Sequence, residues 1–381
     1  MQEVQRRVYL DSASTTNIHP EVLSAYKQLL DRYYVNSESL YDEGAEISRM
    51  LEKARSAVAG LLGVKGNEII FTGGSSESNS MAIKGVPLAL PGKKHIITTQ
   101  TEHSSIMNAC RQMERLFGYD VTYLPVTEQG SVKVQDVKKA LREDTALVSI
   151  MYANNETGAL NPVPEIAEYI KKNSHAYFHS DLTQAIGKTE VSLDNIDLAS
   201  ISAHKLEGLK GSGILVKKTH VPMEPLISGG AQEEGLRGGT SNAVVNMMFA
   251  RTLRLALENR EKYEGQIRRL HDILVQGLKQ LPGVELNSPE SGLPCTVNFS
   301  YEAIPSEVMQ NALNRKGYLI SARSTCEAHS DNPSYVLQAM GFSDRRASSC
   351  IRVSISRHNT EGEIRGFLAA LKEICDKYGE I

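Results

Sequence analysis

Along this chain, short continuous runs of apolar residues alternate with stretches whose apolar positions recur at a helical spacing. Residues Glu46–Leu62 carry Ile47, Met50, Leu51, Ala54, Val58, Leu61 and Leu62 on one stripe, the pattern of an amphipathic helix. The run Glu68–Thr72 (EIIFT) reads as a buried strand, followed by Gly-Gly-Ser-Ser and a second helix. Strands are expected again at HIITT (95–99), VTYLP (121–125), ALVSIMY (146–152), AYFHSD (176–181) and LASISA (198–203). Helices separate most of them, as at Pro164–Lys172. Strands that are apolar throughout, rather than on alternate residues, are buried on both faces. The alternation therefore implies a mostly parallel sheet covered by helices.

The pattern changes after Gly213. Asn246–Leu281 reads as a long, charged helical spacer. Beyond it come a helix (Ser306–Lys316), a strand (Tyr318–Ser321), a helix (Pro333–Met340), a strand (Ile351–Ile355) and a last helix. That helix opens with Thr360-x-x-Glu363, a capping box in which each side chain satisfies the other residue's amide. The expected class is α/β: a large domain and a smaller C-terminal α+β domain, divided near residue 260. No internal repeat or low-complexity tract breaks this order.

Bulk properties narrow the field. At 381 residues the chain is long for one domain, and 41% hydrophobic residues are ample for a core. A formal charge of −3 and a pI near 6.4, with basic residues scattered, give no expectation of direct nucleic-acid binding. No apolar run reaches the ~18 residues of a membrane span. MQEVQRRVYLD has arginines but no apolar stretch behind them, so no secretory signal is expected. The five cysteines (Cys110, Cys295, Cys326, Cys350 and Cys375) are unevenly spaced and odd in number. That argues against a disulfide framework and for a reducing cytoplasm. With no C-x-x-C pair, and only the half-site Cys326-x-x-His329, no metal is expected.

Three features fall at strand ends. In FTGGSSESN a strand feeds a Gly-Ser loop and a helix; free amides and the helix dipole favour an anion there, with Ser75 and Ser76 adding hydroxyls. The plainer reading is an N-capped turn, and the loop lacks the GK[ST] ending of a nucleotide P-loop. In HSDLTQA, Asp181 ends a strand with Gln184 close behind, and a helix cap is the plainer reading. In SISAHKLEGLKGSG, Lys205 sits at the end of the next strand, at the edge of a core where a lysine is costly. In an open parallel sheet such ends face one crevice. Together they supply what pyridoxal phosphate requires: an anion cradle, a carboxylate for the pyridine nitrogen and a lysine for the Schiff base. His103, in TEHSS, suits either ring stacking with proton transfer or a satisfied core position.

Across nearly the whole chain, ordered motifs resemble the cysteine desulfurase family, fold-type I enzymes of the class V aminotransferase group. They are YLDSASTT (9–16), FTGGSSESNSMAIKG (71–85), TEHSSI (101–106), NNETG (154–158), HSDLTQAIGK (179–188), SAHK (202–205), GGAQEEGLRGGTSN (229–242), STCEAHSDNPSYVLQAMG (324–341) and IRVS (351–354). The resemblance implies a pyridoxal 5'-phosphate transferase fold, with residues 16–259 as the large domain and 1–15 with 260–381 as the small one. It implies Lys205 as the Schiff-base lysine, His103 as ring-stacking acid/base, Asp181 as pyridinium partner and Gln184 as donor to the ring hydroxyl. Ser75, Ser76, Ser202 and His204 would hold the phosphate, with Thr240 reaching across from the second subunit of a homodimer. Asn155 and Arg352 would hold the substrate carboxylate. Cys326 matches the nucleophile that takes sulfur from L-cysteine and passes it to an acceptor protein, for iron–sulfur cluster assembly or tRNA thiolation.

The chain also departs from the family pattern. Arg323-Ser324-Thr325-Cys326 replaces the usual Gly-Ser-Ala-Cys, removing a residue that adopts positive φ easily and adding a cation that lowers a nearby thiol's pKa unless Glu327 offsets it. In KLEGLKG, Leu206, Glu207 and Leu209 stand where a proline and an aromatic are usual, and Tyr41 stands where histidine is. The sequence ends at Ile381, without the longer tail that some relatives use to dock an iron–sulfur scaffold. Two other activities fit the same cofactor set: a selenocysteine lyase, or a β-lyase releasing sulfide. A non-catalytic sulfur carrier has no need of Lys205, Asp181, His103 and Cys326 together.

Overall fold

Each apolar run read as a strand before Gly213 forms one in the computed structural model, which describes residues 7–322 and 332–379. In chain order the strands are β1 (Val8–Tyr9), β2 (Ile69–Thr72), β3 (His95–Thr99), β4 (Asp120–Leu124), β5 (Thr145–Ser149) and β6 (Tyr177–Asp181). Then come β7 (Leu198–Ser202), β8 (Gly213–Lys217), β9 (Val284–Leu286), β10 (Thr296–Tyr301), β11 (Tyr318–Leu319) and β12 (Cys350–Ser354). Seven build one sheet in the order β2-β8-β7-β6-β5-β3-β4. Strands β3 to β7 are parallel, whereas β8 is antiparallel to both β7 and β2, so β2 runs with the majority.

The continuous apolar strands bury both faces, as expected. Phe71, Ile97, Val148, Phe178 and Ile201 pack on one side with Phe249 and Leu253 of the helix Ala243–Lys279. Their neighbours Ile70, Ile96, Leu147, Leu198 and Leu215 face the other way, onto Ile83, Ile106 and Met113. Strand β8 (GILVK) was not anticipated; it is wholly buried and slots between β2 and β7. Gly213 is needed there because a Cβ would come within 2.5 Å of Gly74 Cα in the loop leaving β2.

The second sheet, β12-β10-β9, is antiparallel. It packs with the helices Ser306–Arg315 and Glu361–Gly379 around Val297, Phe299, Ile351, Val353, Phe367 and Leu371. The expected spacer is a single helix of 37 residues, Ala243–Lys279. Its first half packs on the large sheet, and Leu270, Leu274 and Leu278 belong to the second core. The division expected near residue 260 thus falls inside a continuous helix, and we place it where the helix changes core. The strand expected at Tyr318–Ser321 pairs only as β11, in parallel with β1, while Ser321 bridges to Arg352. The N-terminal segment therefore lies beside β11 and β12, and Ser354 Oγ accepts from the Ala13 amide at 2.9 Å. The capping box forms as read: Thr360 N donates to Glu363 at 3.0 Å and Glu363 N to Thr360 at 3.3 Å.

Candidate active site

Because β2 to β7 run the same way, their C-terminal ends open on one side of the sheet, the side on which open α/β sheets bind ligands. A pocket of about 260 Å³ lies there, lined by Ser75 and Ser76 after β2, His103 after β3 and Asn155 after β5. Asp181 and Gln184 come from the end of β6, and His204 and Lys205 follow β7. Ala13 and Ser14 from the N-terminal segment and Arg352 from β12 close it.

The exit from β2 forms an anion cradle. Gly74 adopts φ +147°, and Ser75 and Ser76 then open a helix, so their amides have no partner within it. Their hydroxyls also make no hydrogen bond among the described residues. Glu77 steadies the loop, accepting from Gly73 N at 2.7 Å and from Arg237 Nε at 2.9 Å. Ser202 Oγ lies 3.6 Å from where a Gly74 Cβ would stand, against the cradle but off the pocket wall. Burial and the nearby Lys205 charge hold the His204 pKa down at about 4, so its ring is neutral at neutral pH. His204 Nδ1 is 3.2 Å from Thr15 Oγ1.

The next two exits are wired together. Asp181 Oδ2 accepts from Asn79 Nδ2 at 2.8 Å and Oδ1 from the Thr183 amide at 2.9 Å. Asn79 Nδ2 also reaches Ser105 Oγ at 2.9 Å, and that oxygen is 2.8 Å from His103 Nδ1. His103 caps the helix Ser104–Phe117, its Nδ1 accepting from Ser105 N at 3.2 Å. An amide N–H can only donate, so a neutral His103 carries its proton on Nε2. Lys205 Nζ donates to the carbonyls of Ser14 and, at 2.7 Å, Ala13. Gln184 Nε2 donates to the same Ala13 carbonyl at 3.0 Å.

Arg352 is 1% exposed. Its guanidinium donates to Asn155 O and Asp11 Oδ1, each at 2.9 Å, and to Ser14 Oγ. Two buried polar atoms there, its own Nε and Asn155 Oδ1, have no hydrogen-bond partner among the described residues. The Arg352 Nε donor and the serine hydroxyls are what a carboxylate and a bound anion would satisfy. With Asp181, Gln184 and Lys205 around the same space, the donor set fits pyridoxal phosphate with an amino acid.

Thr240 is exposed and does not line the pocket of its own chain. Cys326, with Arg323 and His329, lies outside the described residues. The other four cysteines are buried. Several supporting residues went unread although they sit inside the quoted motifs. Asn79 and Asp11 orient Asp181 and Arg352, and Asn154 Oδ1 accepts the amides of Glu156 and Thr157, shaping the turn that presents Asn155. Glu102 is fully buried, its Oε1 accepting from Met151 N at 2.8 Å and Thr99 Oγ1 at 3.0 Å. Burial pushes its pKa up to about 8. A polar residue beside a site residue in a motif was the available signal.

Residues 8–367 match the family model described as aminotransferase class-V. The chain is 39% identical to cysteine desulfurase IscS of Dictyoglomus turgidum, over 98% of this chain and 96% of that protein. It is 42% identical to the mitochondrial cysteine desulfurase of Arthroderma benhamiae, over 98% of this chain and 75% of the relative. A solved structure of a NifS-like protein superposes with a TM-score of 0.91 at 37% identity, covering 97% of this chain and 100% of the other. SspA in complex with cysteine superposes with a TM-score of 0.79 at 31% identity, covering 92% and 99%.

Proposed function

The chain belongs to the class-V aminotransferase family, and from that starting point we propose a residue-by-residue reading of its pocket. The enzyme is a pyridoxal 5'-phosphate-dependent cysteine desulfurase, which removes sulfur from L-cysteine and leaves L-alanine. When bound, the cofactor supplies an electron sink for negative charge at the substrate Cα. The observation that carries the reading is the convergence of Lys205, Asp181, Gln184, His103, the Ser75–Ser76 cradle and Arg352 on one pocket.

In this reading Ser75, Ser76, Ser202 and His204 hold the phosphate. The last donates as a neutral imidazole, in keeping with its low pKa. Asp181, oriented by Asn79 and the Thr183 amide, takes the ring nitrogen, and Gln184 the ring hydroxyl. His103, its Nδ1 held by the Ser105 amide, would face the cofactor and hold or move a proton at Nε2. Lys205 Nζ, once released from the Ala13 and Ser14 carbonyls, would hold the cofactor covalently and carry protons to the substrate. Arg352 Nε, a buried donor, and the Asn155 side-chain NH2 receive the substrate carboxylate. The Cys326 thiolate attacks the substrate sulfur: an S–S bond forms as the Cβ–S bond breaks, and the sulfur stays on Cys326 as a persulfide.

We further propose a homodimer in which Thr240 completes the partner's phosphate site. Its absence from the lining of its own pocket supports this, as do the exposed Tyr34 and Leu40, apolar surface suited to a second subunit. A cytoplasmic setting and a protein sulfur acceptor, serving iron–sulfur assembly or tRNA thiolation, complete the proposal. No helix among the described residues is long and apolar enough to cross a membrane. Borohydride reduction followed by peptide mapping tests the central assignment. The cofactor label is expected on Lys205, and its recovery on Lys210 or Lys188 would overturn it.

A further inference from the structure

Lys188 lies in the turn beyond β6 and lines a second cavity, which shares Lys205 with the pocket. It does not line the pocket itself, and its side chain has no carboxylate within ion-pair distance among the described residues. Its Nζ donates to Gln184 Oε1 at 2.5 Å. Burial lowers its pKa, so the ammonium is held there at a cost. A methionine of similar length would fill the same space beside Leu206, Ala256 and Cys295 without that cost.

The contact with Gln184 accounts for the lysine. A glutamine amide has two orientations of nearly equal shape, and only its neighbours choose between them. As placed, Nε2 donates to the Ala13 carbonyl at 3.0 Å while Oε1 receives Lys188. Rotating the amide by half a turn would set NH2 against an ammonium and oxygen against a carbonyl, two repulsive contacts. Nε2 keeps a second N–H beyond the one given to Ala13. We propose that Lys188 is a positioning residue which locks the Gln184 amide with its NH2 toward the pocket, presenting a donor to the cofactor's ring hydroxyl. This inference rests on the reading of Gln184 as a cofactor contact.

The test measures pyridoxal phosphate binding to full-length apoprotein by equilibrium dialysis, together with thermal unfolding of the apoprotein. Lys188→Met should weaken cofactor binding about tenfold while the apoprotein's unfolding midpoint stays the same or rises, since a partly buried charge without a carboxylate partner among the described residues is gone. Gln184→Leu should weaken binding by a similar factor, and the double variant no further than either alone. Lys188→Arg, which keeps a cationic donor toward Oε1, should bind within about threefold of the parent. Parental binding in Lys188→Met alongside weakened Gln184→Leu would overturn the inference and leave the reading of Gln184 standing. Unchanged binding in Gln184→Leu would remove the reading beneath it. Additive losses in the double variant, or a lowered apoprotein midpoint in Lys188→Met, would make Lys188 a separate or merely structural contributor and refute the positioning role.

Discussion

Arg352→Lys keeps one positive charge but forfeits the planar fork, and its cost can be worked from the contacts. The guanidinium is buried and serves Asn155 O and Asp11 Oδ1 at 2.9 Å each, with Ser14 Oγ beside them, while Nε awaits an acceptor. An ammonium reaching for Asp11 leaves the Asn155 carbonyl without its donor and offers a substrate carboxylate a single point of attachment. A hydrogen bond to a charged group contributes roughly 1.5–3 kcal/mol. Losing one to the substrate, at about 1.4 kcal/mol per factor of ten, raises KM for L-cysteine about 10- to 100-fold. Losing one within the protein lowers stability by a similar amount. Initial rates of alanine release over a range of L-cysteine concentrations measure the first effect, and urea unfolding the second. The cofactor's absorbance should stay as in the parent, because Arg352 makes none of the contacts that hold Asp181. A KM within twofold of the parent would mean that another group holds the carboxylate, and the reasoning would fail.

Cys326→Ala should keep its cofactor spectrum and still respond spectrally to L-cysteine, yet release no alanine; alanine at the parental rate would favour a lyase. Arg55→Ala should destabilise the protein by about 3–5 kcal/mol in urea unfolding, because it strands the buried Glu233 carboxylate that Arg55 now holds at 2.6 and 2.9 Å. Glu102 stays protonated in the native state up to about pH 8 but ionises near 4.5 once unfolded. Its contribution to stability is thus full below the unfolded value and falls by about 1.4 kcal/mol per pH unit as the pH rises toward the folded one. Glu102→Gln, neutral throughout, should therefore lose less stability than the parent between pH 5 and pH 8 (about that window). Parallel stability curves for the two proteins would show that Glu102 is ionised in the native state.

The sheet was legible because parallel strands buried on both faces are apolar without interruption, and their ends could be read to within a few residues. Strand β8 is just as apolar but follows the lysine segment through a glycine-rich turn, with no helix to mark a new unit, so its antiparallel insertion left no periodic signal. Of the site, the residues at strand exits were readable, since position and chemistry coincide there. Asn79 and Lys188 were not. Each acts through another side chain, and such a role depends on distances between segments far apart in sequence. Asp11 was hidden for the same reason, its partner Arg352 lying on the last strand. Glu207, the departure two residues after Lys205, has a clear structural use. Its backbone adopts φ +61°, while its carboxylate receives Arg357 at 2.8 and 2.6 Å and joins the two sheets.

The N-terminal segment gives the molecule a built-in order of assembly during synthesis. Ala13 and Ser14, whose carbonyls receive Lys205, are translated first and are tied to the large domain through Thr16 and His204, yet the Ala13 amide also waits for Ser354. Strand β1 likewise waits for β11, because Val8 pairs with Tyr318. The large sheet can form once Lys217 has left the ribosome, with Lys205 and Asp181 already in register. At ordinary translation speeds the stretch from Lys205 to Ser354 takes roughly 7–30 s more to make. Through that interval the nascent chain carries a pocket whose Arg352 wall is open. A complete substrate site thus comes only with a nearly finished chain, and truncated products lacking β12 are left without the Arg352 assigned to the substrate carboxylate.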